Sequence, residues 1–194
     1  MLLDQRHERL DELRPRPAAR RDGRTARDAS ARTTSITVVN GTSLASARGI
    51  ATRGGDGRAT PLVLNFASAK TAGGGFLDGA LLEKPYLAGF LTAPAPNAGV
   101  VLAREPEGQE EVNAVMKARV SRALAICAEQ GHRHLVLGAW GCGVFANDPA
   151  VVARAFGDAL DGAYAGAFDE VVFAVLDWSQ ERRIIRPFVE RFAS

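Results

Sequence analysis

Pro61 to Ala80, PLVLNFASAKTAGGGFLDGA, is the stretch whose reading decides the fold. An apolar run, Leu62, Val63 and Leu64, ends on Asn65 and opens into a loop with three consecutive glycines, Gly73, Gly74 and Gly75. A buried strand running into a glycine-rich turn lets backbone approach a phosphate, because glycine has no Cβ and tolerates positive φ. Glycines also serve ordinary tight turns, but three in a row favour a ligand-binding loop.

A second stretch repeats this grammar. In His134 to Asp148, HLVLGAWGCGVFAND, the apolar run Leu135, Val136 and Leu137 passes into another glycine-rich turn. Asp148 followed by Pro149 is an N-cap and first-turn pair for a following helix. Two such loops predict two walls of one cleft, with backbone N–H groups aimed at a pyrophosphate without a metal. Trp140 and Phe145, beside the second loop, are either stacking groups for a base or ribose or core aromatics.

The segments on either side alternate between strand and helix patterns. SITVV at Ser35 to Val39 is a β-branched strand, and Asn40, Gly41 and Thr42 turn into an alanine-rich helix over 43–52. Leu62 to Phe66 and Pro85 to Thr92 are read as strands, with 93–99 as a proline-punctuated loop. Val112, Val115, Met116, Val120, Ala123 and Cys127 recur at helical spacing over 109–130, and Gly131 ends that helix. A helix over 149–164, a strand over 170–176 and an amphipathic segment over 181–192 complete the pattern. Strands alternating with helices predict an α/β domain with helices on both faces of a mixed, mostly parallel sheet.

The first part of the chain is different. Leu2, Leu3, Leu10 and Leu13 among charges predict an amphipathic helix, broken by Pro15 and Pro17, followed by an arginine-rich irregular linker to residue 34. The expected organisation is an N-terminal helix and basic linker over 1–34 and one domain over 35–194. The arginines are read as a solvated arm rather than a polyanion platform, because no aromatic residue interleaves them.

Composition narrows the function classes. The 194 residues are 46% hydrophobic and 24% charged with a formal net charge of +2, which fits one globular core. No apolar run approaches the ~18 residues of a membrane span, and MLLDQRHERL is too charged for a signal-peptide core. The expectation is a cytoplasmic monomer with no membrane partner and no sequence-specific nucleic acid. Cys127 and Cys142, with His7, His132 and His134, have no metal-ligand spacing, so neither a metal site nor a cofactor is expected.

Gly141-Cys142-Gly143-Val144-Phe145-Ala146 formally matches G-x-G-x-x-A, the dinucleotide-binding fingerprint of nicotinamide oxidoreductases. It lies late in the chain, and no acidic residue ends a strand about 20 residues on, as that reading requires. A Rossmann-type oxidoreductase therefore stands third among the functional readings.

Five stretches together resemble the bacterial-type poly(ADP-ribose) glycohydrolases of the macrodomain superfamily. They are VVNGTSLASAR at 38–48, VLNFASAKTAGGGFLDGA at 63–80, LTAPAPNAGV at 91–100, LVLGAWGCGVFANDP at 135–149 and VVFAVLD at 171–177. The resemblance implies a three-layer α/β/α macrodomain whose cleft holds ADP-ribose or the end of a poly(ADP-ribose) chain on a modified protein. It implies that Gly73, Gly74, Gly75 and Phe76 lie along the diphosphate and distal ribose, and that Asn65 hydrogen-bonds the ribose. Gly141, Cys142, Gly143, Val144 and Phe145 would wrap the diphosphate from the other side, with Phe145 ordering the distal ribose.

The resemblance breaks at one place. In the family a Gln-Glu-Glu follows the triple glycine, and one of its glutamates is the general acid/base for the ribose–ribose bond. Here Gly75 is followed by FLDGALLEKPYL, and the QEE at Gln109 to Glu111 opens the long helix, where acidic residues suit the helix N-terminus. The family's catalytic segment is therefore expected to be absent between about Ala80 and Leu81, either lost from the protein or left out of this sequence. Glu83 is the candidate substitute carboxylate, against the reading of Asp78 and Glu83 as solvated loop charges. The leading expectation is a hydrolase of terminal ribose–ribose bonds if a catalytic glutamate is present, and the alternative is a non-hydrolytic ADP-ribose-binding module.

Overall fold

The computed structural model describes residues 32–53, 59–66 and 86–193. The expected N-terminal helix, most of the basic linker, the triple glycine, Phe76 and Glu83 lie outside the described residues. Among the described residues there are five strands, β1 (Ser35–Val39), β2 (Leu62–Phe66), β3 (Gly89–Ala93), β4 (His134–Leu137) and β5 (Glu170–Ala174). Five α-helices accompany them among the same residues: α1 (Ser43–Arg53), α2 (Ala98–Arg104), α3 (Gln109–Glu129), α4 (Pro149–Asp161) and α5 (Ile185–Phe192).

The strands form one sheet in the order β1-β5-β4-β2-β3. All four pairings are parallel, so the expected antiparallel component is absent among the described residues. Burial on both faces explains why β2, β4 and β5 read as continuous apolar runs rather than alternating ones.

Strand alternation sorts the side chains into two layers. Leu62, Leu64, Leu135, Leu137, Val171 and Phe173 join the larger core with Met116, Val120 and Leu124 of α3, Val152 and Phe156 of α4, and Phe188 of α5. Val63, Val136, Val172 and Ala174 point the other way and pack on Ala47 and Ile50 of α1. The chain crosses from β1 to β2 with α1 on one face, then returns through β4 to β5 with α3 and α4 on the other. Crossovers of a single hand produce that arrangement, and the result is the expected three-layer α/β/α sandwich.

Several boundaries differ from expectation. The third strand begins at Gly89, not Pro85, because its register against β2 starts at Leu62↔Gly89. The region taken as a loop to residue 99 contains the start of α2, capped by the Asn97 side chain accepting from Val100 N at 3.1 Å. The helix expected to 164 ends at Asp161, the strand expected to 176 ends at Ala174, and the last helix begins at Ile185 rather than 181. Helix α3 ends as Gly131 predicts, in a Schellman motif: Gly131 N donates to Ala128 O and His132 N to Cys127 O, each at 3.0 Å.

Candidate functional site

A cleft of about 340 Å³ opens at the carboxyl ends of the strands. The chain leaves β2 toward β3 and leaves β4 toward β5, in opposite directions, so the β2/β4 junction is the switch point at which open α/β sheets bind ligands. Phe66 from the end of β2 and Ala139, Cys142 and Gly143 from the loop after β4 line this cleft together. The described end of the first stretch, Phe66, and part of the second, Ala139, Cys142 and Gly143, therefore line one cavity, while the triple-glycine run lies outside the described residues. Its remaining wall comes from Gly41, Thr42 and Ser43 at the start of α1, and from Leu176 and Ile184 after β5.

Close approach shapes the loop after β4. A Cβ on Gly138 would stand 2.7 Å from Ala174 O and 2.8 Å from Cζ of Phe66, so glycine here lets the Phe66 ring cross the end of β4. Gly141 has φ +75°, and a Cβ there would be 2.5 Å from both Ala95 Cβ and Asn147 Nδ2. The non-glycine Ala146 is also left-handed, at φ 53°. Asn147, only 6% exposed, holds the turn: its Nδ2 donates to Gly141 O at 3.0 Å and Pro96 O at 2.8 Å, and its backbone N donates to Gly141 O. Asp148 then caps α4, accepting from Ala150 N at 2.8 Å, as its position before Pro149 predicts.

The opposite wall is held by a second polar group. Asn40 and Asp177 exchange two 3.0 Å hydrogen bonds, Asn40 Nδ2 to Asp177 O and Asp177 N to Asn40 Oδ1. Thr42 supports the start of α1, its hydroxyl accepting from Ala45 N at 3.2 Å. The Asp177 carboxylate accepts from the Ser179 hydroxyl and from backbone N–H groups, which hold its pKa far below the usual carboxylate range against the opposing effect of burial. Sequence reasoning passed over Asn147 and Asp177 as functional candidates. A buried carboxylate satisfied by N–H groups up to eight residues away leaves no short motif.

The sequence-predicted ligand residues are distributed as follows. Asn65 is half-buried at the end of β2 and donates from Nδ2 to the Thr92 hydroxyl at 3.3 Å, across the Asn65↔Thr92 register. Cys142 and Gly143 line the cleft, Gly141 bends the loop beneath them, and Val144 is 95% exposed at the rim. Phe145 packs partly into the larger core while its carbonyl accepts from Gly99 N. Trp140 is not a stacking group: it is 1% exposed, packs 6.4 Å from Phe156 and donates Nε1 to Ala93 O. The exposed tryptophan near the cleft is Trp178, two residues beyond the cleft-lining Leu176.

The described wall offers backbone, hydroxyl and apolar surface. Among the described residues that line it there is no carboxylate or histidine. The Cys142 thiol is pushed up to about 12, chiefly by burial and further by the Asp148 charge, which removes it as a nucleophile near neutral pH. Among the described residues no group of three or more His, Cys, Asp or Glu could hold a metal ion, and no helix is long and apolar enough to cross a membrane.

Residues 7–82 match the family described as microbial-type PARG, catalytic domain, where PARG is poly(ADP-ribose) glycohydrolase. The chain is also similar to the crystal structure of PARG from Deinococcus radiodurans in complex with ADP-ribose. That likeness has a TM-score of 0.76 at 32% identity, over 86% of this chain and 88% of the other. The chain belongs to the microbial-type PARG family.

PARG from Thermomonospora curvata, bound to the inhibitor ADP-HPD, is similar at 35% identity with a TM-score of 0.73, over 82% of this chain and 79% of that one. No curated protein matches the chain. Within the PARG family, the strand order gives this chain the macrodomain-like scaffold, and the sequence match to the family model runs through the triple-glycine segment.

Proposed function

We propose that this protein is a PARG-type macrodomain that binds ADP-ribose, free or at the end of a poly(ADP-ribose) chain on a modified protein, and acts on the terminal ribose–ribose bond. The observation that carries the reading is the shared cleft at the β2/β4 switch point. The loop after β4 is bent and packed closely there through Gly138 and Gly141, in a chain that resembles an ADP-ribose-bound PARG over most of its length. Such a cleft falls within the ~300–1,000 Å³ of small-molecule sites.

In this reading the pyrophosphate lies between the loop after β4 and the Gly73-Gly74-Gly75 run, whose backbone N–H groups neutralise it without a metal. Asn65 and Phe76 meet the ribose, and Cys142, Val144 and Phe145 contribute backbone and packing rather than chemistry. Action as a monomer is part of this proposal. The organisation proposed is residues 35–194 as the binding domain and 1–34 as an N-terminal extension.

Hydrolysis needs a carboxylate that protonates the leaving oxygen and activates water. The described cleft residues offer none, and in sequence Glu83 stands closest to the family's position after the triple glycine without its Gln-Glu-Glu. The test is release of free ADP-ribose from poly(ADP-ribose) at neutral pH without added metal. Release by the wild type that is lost in Glu83→Gln assigns the acid/base role to Glu83. Release that is unchanged in Glu83→Gln removes Glu83 from the chemistry, and binding without release makes the chain a reader of polymer ends.

A further inference from the structure

Asp177 sits where two walls of the cleft join, and its hydrogen bonds divide between them. Through its backbone it is paired with Asn40, which directly precedes the cleft-lining Gly41 and Thr42. Through its carboxylate it organises the chain after β5. Oδ1 accepts from Ser179 N at 2.9 Å and Ser179 Oγ at 2.6 Å, while Oδ2 accepts from Ile184 N at 2.8 Å and Ile185 N at 3.1 Å. Ile184 lines the cleft, and Ile185 begins α5. Ser179 Oγ in turn accepts from Arg183 N at 3.1 Å, which closes the excursion from residue 177 to 185.

We propose that Asp177 is a positioning residue for ligand binding: it latches the turn that starts α1 to the loop between β5 and α5, and so fixes the width of the cleft between Thr42 and Ile184. The inference rests on the reading of this cleft as an ADP-ribose site. It goes further by assigning that wall's geometry to a residue that does not line the cleft itself.

The physical case is one of saturation. The carboxylate accepts four hydrogen bonds from an otherwise irregular segment, and Asp177 is 6% exposed, so water does not replace those partners cheaply. Within this excursion residues 178–183 bury no apolar side chain, Trp178 being 87% exposed, and only Ile184 and Ile185 at its far end pack on the larger core. Asparagine at 177 is isosteric, yet its amide turns two acceptor positions into donors. Those donors face backbone N–H groups, so one side of the latch opens.

The experiment compares wild type, Asp177→Asn, Asn40→Ala and Leu124→Ala. Leu124 is fully buried in the α3 layer, and its truncation lowers stability without touching the cleft. ADP-ribose affinity is measured by calorimetry at a temperature where all variants are folded, and amide hydrogen exchange is followed at residues 41–43 and 184–185. Expected is an affinity loss of about tenfold or more in Asp177→Asn and Asn40→Ala, with faster exchange at those amides. Leu124→Ala should lower the melting temperature but keep wild-type affinity.

Wild-type affinity in a folded Asp177→Asn would overturn the proposal, as would equal affinity loss in Leu124→Ala. If Asp177→Asn does not fold, Asn40→Ala tests the same latch, since it removes the backbone pairing from an exposed side chain. Failure of the wild type to bind ADP-ribose would count against the functional reading instead. The exchange data then decide the latch alone, with unchanged exchange overturning it.

Discussion

Asn147 donates to the carbonyl oxygen of Pro96 at 2.8 Å, and this bond ties the glycine-rich loop after β4 to the proline-rich loop after β3. Both partners are buried, and the same amide also holds Gly141 O. The turn that brings Cys142 and Gly143 to the cleft is thus braced from behind by a neighbouring loop, not only by its own backbone.

Asn147→Ala leaves two carbonyls without that donor, and such a loss costs about 1–3 kcal/mol. Urea unfolding should show a lower midpoint with an unchanged slope. ADP-ribose affinity should fall as well, because the loop loses its brace. Wild-type stability in this variant would show that water replaces the amide.

Gly138→Ala tests the seat of Phe66. The added methyl would meet Ala174 O and the Phe66 ring at distances real Cβ atoms do not tolerate, so the ring must shift into or out of the cleft. Overpacking of this kind costs about 1–3 kcal/mol. The expected outcome is a lower melting temperature with weakened ADP-ribose binding, read by thermal unfolding and calorimetry.

Much of this architecture was legible in the sequence, for identifiable reasons. Strands β2, β4 and β5 announce themselves because parallel strands buried on both faces read as apolar runs, and the half-exposed edge strand β1 through its β-branched residues. The start of β3 was less legible, since its first residue is fixed by register against Leu62 rather than by its own composition. Helix α2 was hidden behind Pro94 and Pro96, although Asn97 before AGVVLA is a capping signal. For Trp140, the pattern beside a ligand loop does not distinguish a stacking ring from a core ring. Packing decides, and it places the indole on Phe156. Asp177 was invisible as a functional candidate because, apart from the Ser179 hydroxyl, the partners of its carboxylate are backbone amides, which every sequence contains.

Cys142 is expected to be inert. With its thiol pushed up to about 12 by burial, the thiolate fraction at pH 8 is on the order of 10⁻⁴. Alkylation by iodoacetamide at pH 8 should be far slower than that of a free thiol such as glutathione. Rapid modification of Cys142 in the folded protein would contradict the burial argument.

Stability should depend on acid through Asp177 and Asp169. Asp177 is lowered foremost by the Ser179 hydroxyl, and Asp169 foremost by its hydrogen-bonded pairing with Arg133. Because both pKa values are lower folded than unfolded, the unfolded chain binds more protons as the pH falls below about 4, the ordinary aspartate value. Their contribution is therefore fully present above that pH and is lost as pH falls through the lowered values. Chemical denaturation between pH 6 and pH 2 should show a steep decline, made shallower by Asp177→Asn.

Ligand binding should be visible in tryptophan fluorescence through Trp178, which is 87% exposed, and not through the buried Trp140. A Trp178→Phe variant should lose the ADP-ribose-dependent change while keeping calorimetric binding within a few-fold. Persistence of the signal in that variant would assign it to Trp140 and would mean that the core responds to the ligand.

The central claim is that the cleft at the β2/β4 switch point holds ADP-ribose, and calorimetric titration of the full chain with ADP-ribose, with NAD as the competing ligand, tests it most directly. The account predicts saturable binding of one ADP-ribose per chain, abolished when Gly74 is replaced by a bulkier residue that blocks the diphosphate path. Binding of NAD in preference to ADP-ribose, or ADP-ribose binding untouched by the Gly74 substitution, would contradict it.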